Sequence, residues 1–170
     1  LHRDRPGRPS LALDLIEEHQ KAGRLVVIVS SAPEEVVRPL GDFLGVDDVI
    51  ATRPEVDARG DYTGELAFYG YGPYKADAIR ELAARESLDL SASYAYSDSV
   101  TDEPMLRAVG HPVAVNPDRD LARLARDEDW PVLRFVRPVR LRDRLPVPSR
   151  PTIAVGGALA FSRIPRGVVG

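Results

Sequence analysis

Cysteine is absent from this chain, methionine and tryptophan each occur once, and histidine occurs three times in 170 residues. Without cysteine, neither a disulfide framework nor a thiolate metal site can form. The histidines, His2, His19 and His111, show no paired helical spacing, which argues against a zinc site. No apolar run approaches the ~18 residues that span a bilayer. No G-x-G-x-x-G follows a strand-like run, so a dinucleotide-binding reading fails. A surplus of positive charge is missing too: 23 Lys and Arg face 26 Asp and Glu, for a net charge of −3. The chain as a whole therefore lacks the basic footprint of a nucleic-acid binder.

Hydrophobic residues make up 44% of the sequence, enough for a core, and the length suits one domain or a large part of one. Charge is unevenly spread. From Arg137 onward seven arginines stand against one acid, Asp143, so this stretch carries +6 and the rest −9. It also holds five prolines and the weakly apolar "TIAVGGALAF". The reading is a core domain over 1–136 and a basic, Pro-rich extension over 137–170, expected outside the fold and able to touch an anionic membrane. The opening "LHRDRPGRPS" has neither an initiator Met nor a signal-peptide pattern. This suggests a cytoplasmic protein, peripheral to a membrane at most, and hints at a fragment.

Hydrophobic spacing then orders the elements. Leu11, Leu15, Ile16 and His19 share a helical face, with Ser10 before it and Gly23 after it. "RLVVIVS" reads as a buried parallel strand. In "PEEVVRPLGDFLG", Val36, Leu40, Phe43 and Leu44 predict a helix ending near Gly45, and "DDVIA" a second strand. "DARGDYTGELAF" has turn chemistry followed by alternation and predicts a hairpin, with Pro54 marking an edge strand. A helix follows from about Lys75 to Glu86. "ASYAYS", "HPVAVN" and "WPVLRF" read as further strands, with a helix opened by Asn116, Pro117 and Asp118 before the last. Strands alternating with helices imply an α/β fold: a parallel sheet with crossover helices and a hairpin insertion.

Three places carry chemistry. Asp98 follows the strand "SYAYS", and Asp102 lies about one turn beyond it. Carboxylates at a strand end suit Mg²⁺, which takes hard oxygens and keeps water beside one or two of them. The structural alternative is a capping box, Ser99 to Asp102, which would occupy Asp102 but leave Asp98 unexplained. Ser30 closes the first strand. Ser31 to Glu34 fits a capping box of its own, leaving Ser30 beside a helix N-terminus, a natural anion site. Lys75 opens a helix, where a cation opposes the helix dipole unless it meets an anion. Tyr62, Tyr69, Tyr71 and Tyr74 before it suit a pocket wall or ordinary hairpin packing. In a parallel sheet all three places fall on one edge, and a hydroxyl, a lysine and an acid pair there make a phosphate-plus-Mg²⁺ constellation.

Ser30 after "VVIV", Lys75 before a helix and "SDSVTD" after a strand resemble the second, third and fourth motifs of the haloacid dehalogenase superfamily. The stretch from about Ala22 to Phe135 is similar to its phosphoserine-phosphatase-like branch. The resemblance implies a Rossmann-like core and Mg²⁺-dependent hydrolysis of a small phosphorylated substrate through an aspartyl-phosphate. Ser30, Ser31 and Lys75 would bind the phosphate, with Ser30, Lys75 and Asp102 catalytic and Asp98 and Asp102 at the metal. The family's Asp-x-Asp motif has no match before Ser30, since Asp4 and Asp14 lie in the wrong context. The resemblance therefore implies a chain that lacks its nucleophile, the first strand and most of the cap. A non-catalytic phosphate- or Mg²⁺-binding module is the alternative. A receiver-type signalling domain is excluded by order, because receivers place their acids before the hydroxyl and the lysine.

Overall fold

The computed structural model describes residues 11–134 and 157–163. Helix α1 (Leu11–Lys21) turns at Gly23 into strand β1 (Arg24–Pro33), whose unbroken apolar run is buried on both faces. Helix α2 (Glu34–Leu44) returns the chain to β2 (Asp48–Val56), parallel to β1. Strand β3 (Tyr62–Phe68) folds back antiparallel on β2 and forms one edge of the sheet. Helix α3 (Pro73–Glu86) crosses to β4 (Tyr94–Ser97). A short α4 (Glu103–Leu106), β5 (His111–Val115), α5 (Arg119–Asp127) and β6 (Val132–Leu133) complete two further parallel pairings. The spatial order is β3-β2-β1-β7-β4-β5-β6, where β7 is Gly157–Arg163.

The expected α/β architecture with its hairpin is thus present, with two local differences. Pro54 lies on β2, an interior strand, and not at an edge. The ladder to β3 shifts register on either side of it, so its missing N–H falls at an irregularity where none is needed. The second difference is β7. Most of the basic stretch lies outside the described residues, but 157–163 form the central strand of the sheet and do not hang outside the fold. They run antiparallel to both neighbours, from Ser30↔Gly157 to Arg24↔Arg163 on β1 and over Tyr94 to Tyr96 on β4. The physical reason is backbone accounting. Facing edges of β1 and β4 in the middle of a sheet would leave rows of unpaired N–H and C=O groups, and an apolar segment with few side-chain demands can satisfy both.

Period-two alternation along β1 divides the core. Val27 and Val29 point to the side covered by α3, α4 and α5, packing with Ile79, Leu82, Met105, Leu106 and Leu121. Val26 faces Ile16 of α1, and Ile28 faces Val37 of α2. Helices on both faces leave the carboxyl ends of β1 and β4 as a shared edge, the place where open α/β sheets build sites.

Candidate active site

Ser30 is fully buried at the end of the apolar part of β1, and its Oγ accepts the N–H of Ala32 at 3.2 Å. The capping box expected from Ser31 to Glu34 does not form. Pairing of Pro33 with Thr52 keeps the chain extended past Ser31, so α2 starts at Glu34 behind Pro33, without a side-chain cap. Glu34 turns instead to Arg38 and Arg53. Ser31 is exposed, and its carbonyl accepts the hydroxyl of Thr52 at 2.9 Å. The α2 N-terminus thus keeps backbone N–H groups without a side-chain cap beside both serines.

The chain leaving the hairpin is pressed onto Ser30. A Cβ at Gly70 would lie 2.4 Å from the carbonyl oxygen of Ser30, so only glycine fits. Gly70 N–H donates to Thr52 Oγ1 at 3.1 Å, making that hydroxyl a clamp between the β1 end and the hairpin exit. Two residues on, Gly72 has φ of 53°, a backbone region costly for other residues, and α3 begins immediately after it.

This launches Lys75 inward. Its side chain is 5% exposed, and Nζ lies 2.7 Å from Asp102 Oδ1, whose side chain is 4% exposed. The other oxygen of Asp102 accepts the Ser97 hydroxyl at 2.7 Å. Two ions removed from water cost several kcal/mol each unless paired and hydrogen-bonded, and here they are both. The capping alternative for Asp102 is not what the structure shows, since Ser99 bonds to the N–H of Thr101 and its own N–H goes to Ser97 Oγ. Asp98 is exposed at the end of β4, and its carboxylate makes no hydrogen bond or ion pair with the described residues. Its carbonyl accepts the Asp118 N–H at 2.7 Å.

Asp118 was legible in the sequence only as a helix start, yet it shapes the site loop. It caps α5 through the N–H groups of Asp120 and Leu121 and also accepts Val100 N–H at 2.9 Å. Burial pushes its pKa up. The backbone donors Leu121, Val100 and Asp120, with the Ser99 hydroxyl, outweigh that and leave it below the usual carboxylate range. Ser97 and Thr52 were also missed. Nothing in a single sequence separates a strand-end serine that orients an aspartate from one that merely ends a strand.

Ser30, Ser31, Lys75, Asp98 and Asp102 therefore gather at one sheet edge, around the amino end of β7, where Gly157 stands opposite Ser30. Among the described residues no group of three or more His, Asp or Glu side chains forms a ready cation cage. The donor chemistry still fits Mg²⁺ in part. Asp98 offers a free hard-oxygen ligand of the kind that Mg²⁺ takes singly beside water, whereas both oxygens of Asp102 are engaged by Lys75 and Ser97.

The family model for haloacid dehalogenase-like hydrolases matches residues 2–107. The chain belongs to that family. It is 55% identical over 161 residues to an "inhibition of morphological differentiation protein" of Streptomyces azureus, covering 93% of this chain and 58% of that one. It is 54% identical over 158 residues to a probable phosphatase of Mycobacterium tuberculosis, covering 93% and 55%. The chain thus spans little more than half the length of these relatives. A substrate-bound phosphoserine phosphatase structure shares the fold, with a TM-score of 0.56 at 24% identity over 78% of this chain and 60% of that one.

Proposed function

We propose that these residues are the phosphate- and metal-binding half of a phosphomonoester hydrolase site working through an aspartyl-phosphate, on a small phosphorylated substrate. The observation that carries the reading is the buried Lys75–Asp102 pair on the sheet edge where Ser30 is also buried. Lysine with Asp102 fixed behind it is a cation held in one geometry. Phosphoryl transfer needs positioning and charge neutralisation more than covalent help. In this assignment the Ser30 and Ser31 hydroxyls and the α2 N–H groups hold the phosphoryl oxygens, and Lys75 neutralises them. Asp102 is a positioning residue that aims Lys75. Mg²⁺, when bound, would neutralise phosphoryl charge, with Asp98 as its ligand from this chain. The relative named a phosphatase and the family membership support this chemistry.

An attacking carboxylate in line with phosphorus is still needed, and Asp102 is committed to Lys75 while Asp98 suits the metal. We therefore expect the 170-residue chain to be silent in a p-nitrophenyl phosphate assay with Mg²⁺. A version extended upstream to the length of its relatives should turn the ester over. Turnover by the 170-residue chain that disappears in Asp98→Asn would overturn this assignment. The second reading, a phosphate- or Mg²⁺-binding module without catalysis, draws on Gly157: the backbone position opposite Ser30 carries a residue with no side chain. Inactivity of the extended protein together with retained phosphate binding would favour it.

A further inference from the structure

Two tyrosines, Tyr69 and Tyr71, stand on the loop that joins the hairpin to α3, and a third, Tyr74, stands in the first turn of that helix just before Lys75. The rings of Tyr69 and Tyr71 stack with centroids 5.6 Å apart and planes 20° from parallel. Tyr74 joins them, 6.2 Å from Tyr69 at 51°. All three are close to half exposed, and their hydroxyls make no hydrogen bond with the described residues. Tyr62, by contrast, lies out on β3 and reaches Glu35. Stacked rings bury each other's faces only in part, so this group keeps a patch of aromatic surface in water.

The backbone beneath them is held tightly. Gly70, between Tyr69 and Tyr71, touches the Ser30 carbonyl and is bonded to Thr52. Tyr71 N–H donates to the Tyr69 carbonyl at 2.9 Å and Tyr74 N–H to the Tyr71 carbonyl at 3.2 Å. Lys75 comes next and is locked to Asp102. The rings are therefore carried on a short rigid arch with one foot on Ser30 and the other on Lys75, the two groups assigned to the phosphate.

We propose that Tyr69, Tyr71 and Tyr74 form the specificity wall for the alcohol part of the substrate, and that they select a phosphomonoester whose alcohol carries a flat ring. The inference rests on the phosphomonoester reading, which fixes where the phosphate sits. A stacked pair offers a preformed π surface at little ordering cost, suited to a ring and poorly suited to a polyol, which needs several hydrogen-bond partners in fixed places. Ring-on-ring contact adds to what area burial gives, so the expected preference is several-fold, up to about tenfold.

Because the chain is expected to be silent, binding is the readout. Titration of the 170-residue protein by calorimetry with inorganic phosphate, glycerol 2-phosphate and phenyl phosphate, all with Mg²⁺, gives two affinity ratios. Phenyl phosphate should bind several-fold more tightly than glycerol 2-phosphate, up to about tenfold. Tyr69→Ala and Tyr71→Ala should collapse that ratio towards one, whereas Tyr69→Phe should keep it, since the ring and not the hydroxyl does the selecting. Equal affinity for the two esters while inorganic phosphate binds overturns the wall but leaves the phosphate site standing. Loss of the ratio in Tyr69→Phe as complete as in Tyr69→Ala overturns stacking as the cause. Failure of inorganic phosphate to bind at all removes the phosphomonoester reading, and the wall falls with it.

Discussion

At the carboxyl ends of the strands a lysine and an aspartate are buried as an ion pair; near the amino ends of β1 and β4, under α1, a histidine and a tyrosine are buried in a different manner. His19 shares the inner face of α1 with Ile16 and lies edge-on to Tyr94 and Tyr96. Arg24 can only donate, so its 3.1 Å contact makes His19 Nδ1 the acceptor. The ring proton then sits on Nε2 and points to the Tyr96 hydroxyl at 3.0 Å. Burial, and then the charge of Arg24, push His19 down to about 4. Burial, with Glu18 and Tyr94 adding to it, raises Tyr96 to about 12. Both groups stay neutral at pH 7, so the cluster avoids the cost of buried charge. The Lys75 pair accepts that cost. A fold has no structural need for ions where neutral partners serve, and the place where it keeps them is where a phosphate is proposed to bind.

The sharpest way to break this comparison is to remove one ion. Lys75→Met should cost about 3–5 kcal/mol, because Asp102 is left buried with only Ser97 to satisfy it. The double variant Lys75→Met with Asp102→Leu should recover most of that loss. Urea midpoints of the three proteins test it. A single variant as stable as the parent would mean that the pair is not buried as described.

The neutral cluster should respond to pH instead. The unfolded chain takes up the histidine proton near pH 6.5, whereas folded His19 resists it to about 4. Between those values the unfolded state binds more protons, so the stabilising contribution is complete above pH 6.5 and is lost as pH falls towards 4. Going from pH 7 to 4.5 should remove roughly 2 kcal/mol through this group alone. Carboxylates titrate in the same window, so the reference is His19→Gln, whose stability should fall less over that range. Parallel pH profiles of the two proteins would show that His19 is not held neutral by the fold.

Much of this was readable from the sequence, for reasons that differ by residue. The helices and strands follow hydrophobic period, and a parallel sheet puts its strand ends and helix starts, with Ser30, Lys75, Asp98 and Asp102, on one edge. The Ser31 box failed because strand pairing at Pro33 overrode a local capping preference. The centre of the sheet failed because "GALAFSR" has no pattern of its own that specifies a partner: its place between β1 and β4 is decided by long-range pairing. Ser97, Thr52 and Gly70 matter through contacts 5 to 40 residues away, at distances periodicity does not report.

Asp118 offers the finest test, because it joins the charged cluster to the scaffold by hydrogen bonds alone. One of its oxygens caps α5 and the other holds Val100, in the turn that leads to Asp102. Asp118→Ala should cost about 1 kcal/mol, the usual worth of a lost N-cap. Asn caps nearly as well as Asp but has a single acceptor oxygen, so Asp118→Asn should keep the cap, lose the Val100 bond and incur only part of that cost. Stability alone would not distinguish a cap from a tie to the site loop. Amide exchange does: the Val100 N–H should lose protection in Asp118→Ala more than the amides at the far end of α5, whereas loss of a simple cap would fray the first turn of α5 and leave Val100 as it was. Unchanged exchange at Val100 would confine Asp118 to its helix and leave the Lys75 pair held by Ser97 alone.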